Sequence, residues 1–170
     1  YRVQARFGVG PLADDWRESL AQRLGGRPRR LGLWSELGLY GALECLAASG
    51  ETALCGQAAL LLESRMGPSA SLREALGQVR EGLPLPLTFL QTQPSQLLAA
   101  LSAQLRWTGD ARFVTQLDPR ALLALALASQ AEGGVLMGWV DEQPTPSSAW
   151  LRLRPLQASE PVDRKSTRLN

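Results

Sequence analysis

Apolar residues recur along the chain at two spacings, one typical of strands and the other typical of helices. Residues 2–9 alternate between polar and apolar side chains, which predicts a strand closed by a glycine-containing turn. Residues 57–63 form a short apolar run between turn residues and predict a buried strand. Three further runs favour β structure: residues 113–115, 135–140 and 149–153. The pattern therefore predicts five strands.

Helical periodicity fills the intervals between these strands. Trp16, Leu20 and Leu24 are four residues apart and share one face of a predicted helix. Ser71 and Glu74 have the spacing of a capping box, which predicts a helix that begins just after Ser71. The predicted helices cover residues 12–24, 29–49, 71–81, 93–105 and 121–131.

Strands and helices alternate along the whole chain, and this order predicts an α/β fold. The expected architecture is three-layer α/β/α, with a mostly parallel five-stranded sheet between the helices. Residues 82–86 contain two prolines and predict an extended linker. The acidic pair Asp141 and Glu142 follows the fourth strand, where two adjacent acids are typical of a solvated turn.

The turn between the third strand and the last helix contains Leu117, Asp118 and Pro119. Asp118 has the position of an N-cap and Pro119 that of the first helical residue. A helix N-terminus offers free N–H groups and a dipole that stabilise negative charge, so it is a place where enzymes can hold a reactive group. Aspartate at this point is a helix cap and a poor nucleophile.

The composition is that of an ordinary globular domain, with 170 residues, 45% apolar and 20% charged. No apolar run is long enough to span a membrane. The chain contains no histidine, and Cys45 and Cys55 lack the spacing of metal ligands, so we expect two small buried thiols and neither a metal nor a cofactor. Because the sequence starts at Tyr1 without methionine, we expect the natural start to be missing.

Residues 163–170 look foreign to the rest of the protein. They contain its only lysine, and they correspond to the translation of a common sequencing adapter, so we infer that the reading frame ran into adapter DNA. Three basic residues and one acid in this tail account for the whole formal charge of +2. The natural domain, residues 1–162, is then neutral, and this interpretation leaves open a continuation of the natural protein past Val162. Without an aromatic platform, the arginines between Arg27 and Arg30 do not predict nucleic-acid binding.

Four segments occur in an order and spacing that resemble a known family: residues 27–31, 60–67, 82–89 and 135–142. Together they resemble the amino-terminal half of a β-ketoacyl synthase, within the thiolase-like superfamily. The nearest type is the short ketosynthase-like protein called a chain-length factor. The resemblance implies a strand order of 3-2-1-4-5 in which the last strand is antiparallel.

Working ketosynthases carry a nucleophilic cysteine at the turn after the third strand. Here Leu117 or Asp118 occupies that position, so the resemblance implies a subunit without the family's acyl-enzyme step. It further implies a cytoplasmic heterodimer with an active ketosynthase in fatty-acid, polyketide or aryl polyene biosynthesis, with an acyl carrier protein and an acyl chain as further partners. The third strand would form the subunit interface through Arg112, Phe113, Val114, Thr115 and Gln116.

Two other interpretations stay open from the sequence. Asp118 could act as an acid or base in an acyl-transfer or hydrolytic enzyme if burial tuned its pKa. Alternatively, the chain could be a stand-alone interaction domain. Neither interpretation requires a cofactor.

Overall fold

The computed structural model describes residues 1–8, 10–115 and 118–156, so Val9, Gln116, Leu117 and the tail from residue 157 lie outside it. The five strands are β1 Arg2–Phe7, β2 Ala59–Ser64, β3 Asp110–Thr115, β4 Val135–Asp141 and β5 Ser147–Arg154. The helices are α1 Trp16–Leu24, α2 Leu33–Ala48, α3 Ser69–Arg80, α4 Pro86–Gln91, α5 Pro94–Gln104 and α6 Pro119–Ala128. No helix in these ranges is both long and apolar enough to cross a membrane.

The five strands form one mixed sheet in the order β1-β5-β4-β2-β3. Strand β2 pairs in parallel with both β3 and β4, whereas β5 pairs antiparallel with both β4 and β1. The predicted α/β class, the number of strands and the antiparallel last strand are confirmed. The predicted order 3-2-1-4-5 and the mostly parallel sheet are wrong.

The polarity of the strands explains the difference. Strand β4 is apolar and mostly buried on both faces, which suits a central position. In β1 the polar residues Arg2, Gln4 and Arg6 are exposed and only Ala5 is buried, and a central position would bury those polar groups. Because only residues 142–146 join β4 to β5, the connection is too short for a parallel crossover.

Two apolar cores lie on opposite faces of the sheet, so the three-layer architecture is confirmed, with unequal layers. The larger core brings α1, α2 and α5 against the sheet, and its buried residues include Leu20, Trp34, Leu97 and Trp150. On the other face the smaller core is covered by α6 through Leu122 and Ala126. The helix layer on that side is therefore thin.

The capping box predicted at Ser71 is wrong. Helix α3 begins at Ser69, so Ser71 lies within its first turn, and no side chain accepts a hydrogen bond at the N-cap. The linker predicted over residues 82–86 is confirmed up to Leu85, whereas Pro86 is the first residue of α4, because its fixed backbone angle suits that position.

Glycines in α2 permit close packing between layers. A Cβ atom at Gly38 would lie 2.4 Å from Leu97 Cδ2 on α5, and one at Gly41 would lie 2.2 Å from Ser148 Oγ. Gly41 also brings the helix against Trp150 of β5. The low helix propensity of these glycines is thus offset by the contact they allow.

The buried guanidinium of Arg152 anchors β5 to Glu51. Arg152 is completely buried, and its Nε and Nη2 atoms donate to Glu51 at 2.7 and 2.9 Å. Burial acts to raise the pKa of Glu51, but hydrogen bonds from Arg152 and Ser49 and the charges of Arg152 and Arg154 outweigh it, so the pKa lies below its ordinary value of 4.5. The ionised form of Glu51 therefore stabilises the folded chain.

Replacing Glu51 by glutamine tests this pair. Near neutral pH, E51Q is expected to lower the free energy of unfolding by about 3 kcal/mol, because the buried Arg152 charge loses its counter-ion. The pair's contribution is fully present above the ordinary pKa and is lost as pH falls through the lower folded pKa, so the difference between wild type and variant narrows on acidification. Urea unfolding across this pH range measures it. The exposed Glu81→Gln variant is the control, and a constant difference at every pH would contradict the assignment.

Candidate functional site

The carboxyl ends of the parallel strands β2, β3 and β4 lie at the same end of the sheet. In many open α/β folds, ligands bind at this end. Strand β3 ends here at Thr115, and Asp118, one of the two positions that the resemblance predicts for the ketosynthase nucleophile, begins the described chain again at the start of α6. The residues that leave β2 and β4 lie at the same end of the sheet. The candidate site is therefore defined by these three strand ends and the beginnings of the helices next to them.

Asp118 caps α6, as the sequence predicts. Its Oδ1 atom accepts a hydrogen bond of 2.6 Å from the Arg120 N–H, and Pro119 is the first helical residue. The Asp118 side chain belongs to an exposed residue. Leu117, the other candidate position for the nucleophile, lies outside the described residues. Among the residues that the structure describes, no group of acids and cysteines could hold a metal ion.

Strand β3 lies at the edge of the sheet and pairs with β2 on one side. Its inner contacts include Phe113, whose ring packs edge-on against Trp34 with centroids 5.6 Å apart. Arg112 is exposed and pairs with exposed Asp110 at 2.7 Å. The outer edge of this strand is available for pairing, while the interface predicted over Arg112, Phe113, Val114 and Thr115 stays a prediction. Gln116, its last predicted member, lies outside the described residues.

Glu142 directly follows β4 at this end of the sheet and is only 6% exposed. One oxygen accepts from the Trp34 N–H at 3.1 Å, in the first turn of α2. The other accepts from the Ala70 N–H at 2.8 Å and from Ser69 Oγ at 3.1 Å, in the first turn of α3. The expectation of a solvated turn at Asp141 and Glu142 is therefore wrong, because Glu142 supplies the acceptor that the N-termini of two helices require.

Asp141 and Ser64 extend this network. Ser64 Oγ donates to Asp141 Oδ1 at 3.0 Å and accepts from the Gly67 N–H at 2.8 Å and from Trp34 Nε1 at 3.2 Å. Asp141 also accepts from the backbone and side chain of Arg65. These polar groups satisfy one another, so their arrangement is that of a structural network between β2, β4 and the two helices.

Glu63 is a second buried carboxylate that sequence analysis did not select. It is 3% exposed and lies in register with Val114 of β3 and Trp139 of β4. Since Leu61, two residues earlier, belongs to the core under α6, Glu63 points to the same side of the sheet. The available signal was a single acid directly after the apolar run of residues 58–62.

Neither cysteine lies at the candidate site. Cys45 is fully buried in the last turn of α2, and burial raises the pKa of its thiol to about 12. Cys55 is half-buried in the loop before β2, at the opposite end of that strand from the candidate site. Both thiols are free, and the predicted burial is confirmed for Cys45.

Solved structures share this fold, although no family model and no curated protein matches the sequence. A chain of the ketosynthase (ApeO) in complex with its chain length factor (ApeC) from Xenorhabdus doucetiae is 17% identical, with a TM-score of 0.61 over 91% of this chain and 77% of that one. A chain of the ishigamide ketosynthase/chain length factor is 16% identical, with a TM-score of 0.62 over 82% of this chain and 46% of that one. The chain has a fold found in ketosynthase and chain length factor complexes. The structural resemblance expected from the sequence is thereby confirmed.

Removing the Glu142 carboxylate tests the hydrogen-bond network that joins β4 to α2 and α3. Glu142→Ala is expected to lower the free energy of unfolding by about 3 kcal/mol, because the buried Trp34 N–H and the partly buried Ala70 N–H lose a charged acceptor. Glu142→Gln retains one acceptor oxygen, so its free energy of unfolding should fall less than that of Glu142→Ala. Chemical denaturation measures both values.

Glu81→Ala is the matched control for this prediction, since Glu81 is exposed and follows the end of α3. Its effect should stay within about 0.5 kcal/mol. If Glu142→Ala were as mild as this control, the role assigned to Glu142 would be wrong.

Proposed function

We propose that this chain is a catalytically silent, chain-length-factor-like subunit that pairs with an active ketosynthase. The observation that carries the proposal is the combination of a ketosynthase-like fold with Leu117, Asp118 and Pro119 at the turn where a cysteine is required. Asp118 is engaged as a helix cap, and aspartate cannot form the thioester intermediate of acyl condensation. The pathway would be of the polyketide, aryl polyene or fatty-acid type.

The edge position of β3 supports this pairing. An exposed strand edge can add a strand from another chain through backbone hydrogen bonds. Both edge strands expose charged residues, Arg2 and Arg6 on β1 and the paired Asp110 and Arg112 on β3, so charge does not distinguish the two edges. We choose β3 as the surface that meets the ketosynthase because the resemblance implies pairing through the strand that precedes the nucleophile turn.

Exposed apolar helix faces also support a protein partner. Leu123 and Leu127 of α6 are 40% and 46% exposed, although this helix carries almost no polar side chain. On α3, Leu72, Leu76 and Val79 form a stripe along one exposed face. Contiguous apolar surface of this kind marks interaction sites on soluble chains.

An acyl carrier protein enters the proposal as the carrier of the growing acyl chain to the ketosynthase. This chain would then shape the space available to the acyl group without reacting with it. The alternatives are an enzyme that uses Asp118 and a stand-alone interaction domain. The following experiment distinguishes the proposal from both.

Co-expression with a ketosynthase from the same gene neighbourhood tests the proposal. We expect the two chains to co-elute as a complex and acyl condensation to require both of them. Activity of the isolated chain that disappears in Asp118→Asn would support the enzyme interpretation. Absence of both complex and activity would leave an interaction domain with another partner.

The interface is tested separately by Ala111→Lys, which places a charge on the exposed edge strand. The affinity of the Ala111→Lys variant for the ketosynthase should be about tenfold or more lower than that of wild type, equivalent to about 1.4 kcal/mol. Ala48→Lys on exposed helix surface is the matched control. Equal affinities for the two variants, at unchanged unfolding midpoints, would exclude β3 from the interface.

A further inference from the structure

The outer side of α6 is an apolar surface on the side of the sheet with the smaller core. Leu122 and Ala126, on the inner side of the helix, pack on β2, β4 and β5 in that core. The outer side carries the exposed residues Leu123 and Leu127 together with two exposed alanines. We call this surface the α6 face. The ketosynthase pairing proposed above uses the outer edge of β3, whereas the α6 face lies above β2 and β4.

The apolar surface continues from α6 onto the sheet. Trp139 of β4 and Leu151 of β5 are half-buried and pack against the smaller core on the same side. Val3 of β1 is exposed and lies in register with Leu153, a member of that core, so Val3 points to this side as well. The ten residues of α6 span only about 15 Å, and a stable interface buries about 800 Å² on each partner. A partner would therefore have to contact the helix and the adjoining sheet together.

The α6 face is complementary to itself. Residues 123–127 read Leu-Ala-Leu-Ala-Leu in either direction, so the pattern is symmetric about Leu125. A two-fold contact between identical chains places residue i against j and j against i. In an antiparallel pair of α6 helices centred on Leu125, Leu123 of one copy therefore meets Leu127 of the other. The exposed Ala124 beside the centre allows the two helices to approach closely.

The charges at the two ends of α6 favour the same antiparallel arrangement. Arg120 is exposed in the first turn, and Glu132 is exposed just beyond the helix and accepts a hydrogen bond from Gln57. Arg120 precedes Leu125 by five residues and Glu132 follows it by seven, so the two side chains of opposite copies come within about 3 Å along the helix axis. Asp118 lies at the same level, but its carboxylate caps its own helix. A parallel pair would instead place Arg120 beside Arg120.

We propose that two copies of this chain form a dimer through their α6 faces, with the helices antiparallel about a two-fold axis at Leu125. Leu123 and Leu127 of both copies form the centre of the contact, and two pairs of Arg120 with Glu132 close its ends. The symmetry of the apolar pattern and of the charges selects a second copy over an unrelated helix. The dimer does not depend on the proposed ketosynthase pairing.

Analytical ultracentrifugation of the purified chain tests the dimer. We expect a reversible equilibrium between monomer and dimer in wild type. The double variant Leu123→Glu/Leu127→Glu should raise the dissociation constant at least about tenfold, equivalent to about 1.4 kcal/mol, because it places four carboxylates at the centre of the contact. Leu72→Glu/Leu76→Glu, on the exposed stripe of α3, is the matched control and should form the dimer as wild type does.

A charge exchange tests the pairing of the helix ends. Arg120→Glu should weaken the dimer about fivefold, because it places a carboxylate beside Glu132 of the other copy. Adding Glu132→Arg to the same chain restores opposite charges and should recover most of the lost affinity. Both effects should shrink as salt rises.

Cysteine cross-linking tests the antiparallel orientation. In a Cys55→Ser background, Ala124→Cys places two thiols about 3 Å apart along the axis, whereas Ala121→Cys places them about 12 Å apart. The added oxidant diamide takes up the two hydrogens that the thiols lose when the disulfide forms. We expect a cross-linked dimer from Ala124→Cys and none from Ala121→Cys, since a disulfide requires Cα atoms within about 7 Å.

The proposal is wrong if wild type stays monomeric at every concentration, or if the α3 control weakens the dimer as much as the α6 variant. It is also wrong if the charge exchange fails to recover affinity, or if both cysteine positions cross-link equally, as a parallel pair would. Thermal unfolding of each variant checks that the fold is retained. The ketosynthase pairing has its own test in Ala111→Lys, so failure of the dimer is distinguishable from failure of that pairing.

Discussion

One buried carboxylate joins the helices to the sheet in this protein. Glu142 leaves β4 and accepts hydrogen bonds from the first turns of α2 and α3, so two helix dipoles converge on one negative charge. Trp34, whose backbone is held in this way, also donates from its ring to Val140 and packs on Phe113 of the edge strand. The position of β3 therefore depends indirectly on the same carboxylate.

The outline of the fold could be predicted from the sequence because it rests on local patterns. Apolar runs identified the strands, and Asp118 followed by Pro119 identified the start of α6. The strand order could not be predicted in this way, since pairing joins residues that are far apart, such as Arg2 and Arg154. The alternation of polar and apolar residues in β1 nevertheless contained the information that this strand belongs at an edge.

The candidate site was only partly predictable for the same reason. The absence of a cysteine at the β3–α6 turn is a property of the sequence itself. The role of Glu142 depends on the fold, which brings Trp34 and Ala70 close to it. No spacing of residues along the chain could predict these contacts. Glu63 was missed because its neighbours in space, Val114 and Trp139, come from other strands. Chemistry that arises from tertiary contact is thus the part that sequence patterns leave out.

The thin layer formed by α6 affects how the polypeptide behaves when it is alone. Because α6 consists largely of leucine and alanine and leaves Leu123 and Leu127 exposed to water, each isolated chain carries an apolar patch that favours self-association. Self-association of isolated chains would then increase with their concentration.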